Sequence, residues 1–576
     1  RGGATSEHNN RLSLATPYHL MFSEKEFDAG GGGSDGGESG GRMYHDTEEN
    51  ADYNVDEDPD YHMEDNTDSD TGESSDWDYD TDDDEGNMDR STGESGGGLG
   101  SRGKRRGVEA KGVAWRTLTH HAPLMAKQYV PHHMPLIYDG KHVKLSSLEE
   151  ETCNLWVDAL ARNSRIANTT MFKENFFSGL KKVLDRPELA HIMDFNKCDF
   201  SQISIGLQKQ RSMALTGMER EAKDREKVKY GTARIDGLNH DVKNFQVPPP
   251  ALFMGRGKHP KNGCIRRRIE PEDITINIME HVASPIQPPT GREWAGVVHN
   301  QKSSYLVSWC DSVTGERQYI NVAESSLAKS AADILKFDTA RELGPKIESI
   351  RSGYRSMLAE SSPVRQQMAI VSYLVLEYAI RAGHEKDESG ADTVGVCTLR
   401  KEHLSFVHPS TIKFSFLGKD SIPYERAHVV ESEIYDALQK ICENLQTNDA
   451  IFDQIDPSTM NNYLQSIMPK LTMKVFRTYN ASRMLSDELK RTTAVDATET
   501  MCLEAYTAAN LKVAKLCNHQ KGDGAFSLDT SKRYYLDPRI TVAWCKLHGV
   551  PLNKVYSHLL LSKFDWAVDV GDDFEF

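Results

Sequence analysis

Ser531-Lys532-Arg533-Tyr534-Tyr535-Leu536-Asp537-Pro538-Arg539 lies near the C-terminal end of the 576-residue chain. Asp is a favoured helix N-cap and Pro a favoured first helical residue. A helix is therefore predicted from Pro538 through Ile540, Val542, Trp544 and Leu547, with Gly549 as its stop. Tyr535 then sits just before a helix start, on a short basic segment. A phenol placed among cations can attack a phosphate. A tyrosine there can equally be a buried staple that ties the loop to the core.

Upstream segments supply partners for such a phenol, each with an ordinary structural reading beside it. His519 follows a predicted helix from Glu504 to Leu516, where a lone histidine is more often structural. Arg477 lies on a predicted helix start, Lys474 through Ser482, among apolar neighbours. Lys413 to Leu417 alternates like a strand, Gly418-Lys419-Asp420 is a turn, and Ser421 to Tyr424 begins the return. Lys419 is thus placed at a hairpin tip, able to enter a groove or simply to face water. Met368 through Ile380 is apolar on nearly every face and predicts a buried helix ending at Arg381-Ala382-Gly383. Arg381 either satisfies the last helical carbonyls or faces a phosphate.

Residues 113–329 read differently. Helices are predicted from Leu148 to Leu160 and from Met171 to Leu184, with an exposed charged helix from Glu219 to Lys229. Gly255 to Arg268 interleaves glycines with cations, which suits a groove that neutralises phosphates, with a solvated basic loop as the plainer alternative. Ser304 to Trp309 and Gln318 to Val322 flank Thr314-Gly315 and predict a β-hairpin.

The net charge of -17 conceals a division. Residues 1–100 hold 28 Asp and Glu against 5 Lys and Arg, which leaves 64 basic and 58 acidic residues, a net +6, for the rest. Residues 1–112 are too poor in apolar surface to offset their ordering entropy and predict a disordered acidic tail. Within it, Asp76 to Asp80 resembles a calcium loop without its glycine. Gly98 to Lys104 resembles a phosphate loop without its Ser or Thr. Arg102, Lys104, Arg105 and Arg106 read as a nuclear address, a DNA-contacting patch or a solvated charge run. Tyr61, Trp77 and Tyr79 punctuate the acidic run in a way that suits a partner-binding tail. The nine cysteines have no CxxC pair, which points to free thiols in a reducing compartment and away from a disulfide frame or zinc site. No apolar run is long enough to span a membrane, and no signal-peptide pattern opens the chain, which begins without Met.

Together these segments closely resemble the eukaryotic type IB DNA topoisomerases. The resemblance rests on Lys229-Tyr230-Gly231, Arg256-Gly257, Arg267-Arg268-Ile269 with Pro271-Glu272-Asp273, and Leu306 to Trp309. It continues through Arg381-Ala382-Gly383 with Glu385-Lys386, Leu417 to Ile422, Lys474 to Ser482, Leu516 to Gln520, and Ser531-Lys532 with Tyr535 to Trp544. It covers residues 113–576 and implies an ATP- and metal-independent enzyme with no cofactor. That enzyme would relax supercoiled duplex DNA through a 3′-phosphotyrosyl intermediate. It implies the catalytic set Arg381, Lys419, Arg477, His519 and Tyr535. It also places Arg256, Arg268, Gln318, Tyr319, Lys336, His384, Lys386, Thr393, Asp420 and Lys474 at or near the DNA.

The fold so implied is α+β, a two-lobed DNA clamp. Its parts are a disordered acidic tail (1–112), a mixed α/β cap lobe (113–329), a helical catalytic core similar to tyrosine recombinases (330–520), a very short linker (521–530) and a C-terminal domain (531–576). The implied location is the nucleus, with chromatin, replication or transcription proteins as partners of the tail. A tyrosine recombinase and a non-catalytic chromatin-binding protein are the competing readings.

Two departures from the family pattern stand out. The family's long helical linker is missing, since only residues 520–534 separate His519 from Tyr535, so less braked rotation and earlier release from DNA are expected. The same spacing resembles enzymes of the family that carry the Tyr segment on a separate chain. Tyr534 replaces the family's Asn beside the camptothecin-class inhibitor site, which leaves inhibitor sensitivity open and sets a second phenol next to Tyr535.

Overall fold

The structure is a computed structural model that describes residues 114–576, apart from 213–216, 243, 283–285, 324, 386–389, 495 and 521–523. The expectations for the tail, for Lys386 and for the start of the linker fall outside the described residues. Everything described belongs to one unit, Asp89–Phe576.

Residues 114–322 combine helices with short sheets. The helix Ser147–Arg162 begins where Ser146 and Glu149 form a reciprocal capping box, and Thr169 caps the helix Thr170–Val183. Trp156 of the first helix stacks on Phe176 of the second at 5.1 Å between ring centroids and meets Phe195 edge-on at 4.9 Å. The expected hairpin is present: Tyr305–Cys310 pairs antiparallel with Arg317–Asn321, and Gly315 in the turn has φ +76°. It belongs to a four-stranded sheet completed by Thr275–Asn277 and Gly296–Val298. The charged helix Gly217–Tyr230 is exposed along most of its length.

From Leu327 onward helices dominate. Pro363–Tyr378 is buried on nearly every face, as its composition predicted, and the backbone then turns through left-handed Ala379 at φ +50°. The helix thus stops three residues before Arg381, which leaves that side chain on the following segment. A three-stranded antiparallel sheet follows, Leu404–Val407, Thr411–Leu417 and Pro423–Val429, with the Lys419–Ser421 turn joining the last two strands.

The helix Met473–Thr492 binds two apolar cores together. Its first turns place Met473, Val475 and Phe476 in the core built on Pro363–Tyr378 and the three-stranded sheet. Its later turns place Ala481, Leu485 and Leu489 with Tyr506, Tyr535, Leu536 and Trp544. Arg477 therefore stands where the two cores meet.

The C-terminal helix runs Pro538–His548. Asp537 caps it by accepting the Arg539 N–H, and Gly549 ends it at φ +66°, as predicted. One local expectation changes. Ser531 to Tyr534 is helical, the end of a helix Leu528–Tyr534 capped by Ser527, and the last residues assigned to a linker are its first turn.

Candidate functional site

Tyr535 occupies the junction between these two consecutive helices and is 1% exposed. Its backbone is fixed from both sides. The Ser531 carbonyl accepts the N–H groups of Tyr535 and Leu536, each at 3.0 Å. The Ser482 hydroxyl, on the same helix as Arg477, donates to the Tyr535 carbonyl at 2.9 Å and accepts the Asp537 N–H at 3.0 Å. Arg539 clasps the buried Asp537 through Nη2–Oδ2 at 2.7 Å and reaches Asp338 at 2.8 Å, which anchors the second helix.

The Tyr535 phenol faces cations. Arg381 Nη1 donates to its oxygen at 3.2 Å, and the Arg477 guanidinium lies 5.1 Å from the ring centroid. His519 packs on the same ring at 4.9 Å between centroids.

Arg477 is 4% exposed, and a buried cation requires compensation. Two helix C-termini provide it. Nη1 donates to the carbonyl of Ala379, which ends Pro363–Tyr378. Nη2 donates at 3.0 Å to the carbonyl of Cys517, which ends the helix Glu499–Leu516. Orphan carbonyls and the negative ends of two helix dipoles thus converge on one guanidinium. Its Nε is a buried donor with no hydrogen-bond partner among the described residues.

His519 follows left-handed Asn518 (φ +54°), which turns the chain out of the helix Glu499–Leu516. Burial, then Arg477 and Arg381, hold its imidazole well below the usual histidine pKa, so the ring is neutral at physiological pH. Nδ1 lies 2.8 Å from Ser531 Oγ, while Nε2 is buried with no hydrogen-bond partner among the described residues. The route from His519 to the Tyr535 helix is short: Ser527 N–H donates to the His519 carbonyl at 2.7 Å, and Gln520 bridges Phe526.

Arg381 is held by a crossing of two backbones. Val396 N–H donates to the Arg381 carbonyl and Cys397 N–H to that of Ala382, each at 2.8 Å. Gly383 (φ +77°) passes so near Gly395 that a Cβ on it would lie 2.6 Å from the Gly395 Cα. The same segment meets the hairpin, since Val394 N–H donates to the Leu417 carbonyl at 2.7 Å. Asn518 Nδ2 donates to the Pro423 carbonyl at 3.0 Å, and Arg426 Nη2 to that of Lys515 at 2.8 Å. The hairpin turn that carries Lys419 is therefore stitched to both the Arg381 and the His519 segments.

Of the residues singled out in the sequence, Arg381, Arg477, His519 and Tyr535 thus meet directly. Lys419 is half-buried on the hairpin turn, where Asp420 pairs with Arg256 at 2.7 Å. His384 is exposed, while Thr393 and Lys474 are half-buried. Gln318 and Tyr319 are neighbours on one strand, so their side chains leave opposite faces of the sheet.

Two others turn inward. Arg268 holds Glu151 at 2.5 Å and the Lys127 carbonyl at 2.9 Å. Lys336 is 8% exposed and pairs with Asp333 at 2.7 Å, against which Lys563 also packs. Sequence reasoning missed Ser482, the Ser531 hydroxyl and Gly395, because each acts through a partner on another segment of the chain. All nine cysteines are free thiols, and among the described residues no helix is long and apolar enough to cross a membrane.

Residues 113–322 match the family model described as eukaryotic DNA topoisomerase I, DNA binding fragment. Residues 325–533 match its catalytic core, and 509–576 match the C-terminal topoisomerase domain. DNA topoisomerase 1 of Homo sapiens is 35% identical across 81% of this chain and 72% of its own length. That of Drosophila melanogaster is 34% identical across 81% of this chain and 55% of its own length. DNA topoisomerase 1 beta of Arabidopsis thaliana is 33% identical across 80% and 59%. The chain belongs to the eukaryotic DNA topoisomerase I family, the type IB enzymes.

Proposed function

We propose that this chain relaxes supercoiled duplex DNA by cutting and resealing one strand, with Tyr535 as nucleophile. The Tyr535 phenol releases its proton to solvent, its oxygen attacks a backbone phosphorus, the P–O5′ bond breaks, and the strand is held as a 3′-phosphotyrosyl link. A phenol ordinarily ionises near pH 10, so forming the phenolate needs nearby positive charge. Arg381 and Arg477 supply it and clamp the non-bridging oxygens, a task suited to planar guanidinium groups. His519 donates from Nε2 as negative charge builds in the transition state. Lys419, on its flexible stem, gives a proton to the departing 5′-oxygen. The phosphotyrosine conserves the bond energy, so the 5′-hydroxyl attacks back without nucleotide, and guanidinium charge serves where other enzymes use a metal.

The observation that carries this reading is the pairing of Arg381 with the Tyr535 hydroxyl at 3.2 Å, beside two buried nitrogens, Arg477 Nε and His519 Nε2, that have no hydrogen-bond partner among the described residues. Unsatisfied buried polar groups are costly; a phosphate oxygen would accept from Arg477 Nε, and from His519 Nε2 when that nitrogen carries the ring proton.

The remaining assignments belong to the same reading. Residues 113–329 and 330–520 form the two lobes of a clamp on DNA, the second similar to tyrosine recombinases, and 531–576 deliver the nucleophile. Arg256, Gln318, Tyr319, His384, Lys386, Thr393, Asp420 and Lys474 line the DNA, and Arg268 and Lys336 join them after exchanging their present partners. The protein works in the nucleus, and its acidic tail engages chromatin, replication or transcription proteins. Rotation is less braked without the long linker. Plasmid relaxation in EDTA without nucleotide tests the reading. Wild type should relax, and Tyr535→Phe should bind DNA but not relax it. A relaxing Tyr535→Phe protein would break the assignment.

A further inference from the structure

The Ser531 hydroxyl is fully buried and has one hydrogen-bond contact among the described residues, His519 Nδ1 at 2.8 Å. The carbonyl of the same residue already accepts the N–H groups of Tyr535 and Leu536. Either the hydroxyl donates to Nδ1, or Nδ1–H donates to the hydroxyl. In the second arrangement the hydroxyl proton has no acceptor and the Nε2 lone pair has no donor, which strands two buried groups. In the first, the hydroxyl and Nδ1 satisfy each other, and the proton of the neutral ring goes to Nε2. A buried polar group without a partner costs about 1–3 kcal/mol, so the first arrangement wins. Its one unmatched group is an N–H in the pocket of Arg381, Arg477 and Tyr535, where an anionic oxygen is the natural acceptor.

We infer that Ser531 is a positioning residue that holds His519 in the tautomer with its proton on Nε2, ready to donate to the reacting phosphate. This rests on the proposed strand-cutting reading and deepens it. Ser531 joins two parts of the site in one residue: its hydroxyl orients the histidine, and its carbonyl fixes the backbone of the nucleophile. The imidazole therefore becomes a directed donor only when the helix Leu528–Tyr534 is docked. A site whose tyrosine segment has come away would lose its nucleophile and its histidine donor together.

The test uses the full chain with 15N-labelled histidine, the His519 resonances being identified by their loss in His519→Gln. Wild type should show an unprotonated, hydrogen-bonded Nδ1 and a protonated Nε2, and this spectrum decides the matter even if a variant folds poorly. Ser531→Ala should shift the ring toward mixed tautomers. Single-turnover cleavage of a suicide DNA duplex should slow roughly tenfold with DNA affinity unchanged, within the ~10²–10³-fold ceiling for loss of one transition-state donor. Ser531→Thr, which keeps the hydroxyl, should restore both readouts. A protonated Nδ1 in wild type would overturn the inference, as would Ser531→Ala that cleaves at the wild-type rate. The outcomes are separable: relaxation by Tyr535→Phe would defeat the strand-cutting reading while leaving the tautomer result standing.

Discussion

Ser482→Ala removes one hydroxyl and releases two backbone groups that hold the Tyr535 segment. Ser482 is fully buried on the helix Met473–Thr492, and its Oγ bonds to the Tyr535 carbonyl at 2.9 Å and the Asp537 N–H at 3.0 Å. Alanine fits the space but offers neither a donor nor an acceptor. Each buried group stranded in this way costs about 1–3 kcal/mol, so the double loss should destabilise the fold by about 2–4 kcal/mol after partial relaxation. The damage falls on the connection between the helix carrying Arg477 and the segment carrying Tyr535. Chemical denaturation followed by tryptophan fluorescence should detect it, because Trp544 lies in the affected core. Single-turnover cleavage should slow by more than DNA binding weakens, and Ser482→Thr should recover much of the loss. A midpoint within about 0.5 kcal/mol of wild type, the range of an indifferent surface change, would refute the role given to this hydroxyl.

Gly395→Ala should disturb the Arg381 segment, since the new Cβ would press on the Gly383 backbone and lie 2.7 Å from the Ala382 carbonyl carbon. Backbone on both sides cannot yield as a flexible side chain would, so a loss of about 1–3 kcal/mol is expected, together with slower relaxation; unchanged values of both would contradict the crossing. Stability should also fall on acidification. Burial lowers His120 to about 4, His428 to about 3, and His519 in the same direction. A histidine with a depressed folded pKa takes up its proton first in the unfolded chain, so its contribution is complete above about pH 6.5 and is lost as pH falls toward the folded value. By pH 5 this amounts to about 2 kcal/mol for each of His120 and His428, and denaturation midpoints at pH 7 and pH 5 will show whether the fall occurs.

Much of this was legible because the responsible signals are local. Asp537-Pro538 and Gly549 bracket a helix, and an all-apolar face marks Pro363–Tyr378 as buried. Alternation and a Gly-Lys-Asp turn define the hairpin. The short helix Leu528–Tyr534 escaped notice because Asp529 to Arg533 is polar and offers no apolar period; Asn510, whose Nδ2 donates to the Leu528 carbonyl at 3.0 Å, helps to hold it. The inward commitment of Arg268 depends on Glu151, far away in the chain, and that of Lys336 on burial of Asp333 beside Lys563. Ser482 looked like an ordinary helix serine and Ser531 like part of a basic segment, since what distinguishes both is full burial against partners brought near by folding.

The central claim is that the residue 535 phenol, and not its neighbour, carries the cut strand. Arg381 bonds to the Tyr535 hydroxyl, whereas Tyr534 is the last residue of the preceding helix, with Arg533 over its ring at 5.3 Å. The covalent adduct should be trapped on a suicide DNA duplex and digested, and the modified peptide sequenced by tandem mass spectrometry. A nucleotide joined through its 3′-phosphate to Tyr535 is expected; the same adduct on Tyr534 would overturn the assignment.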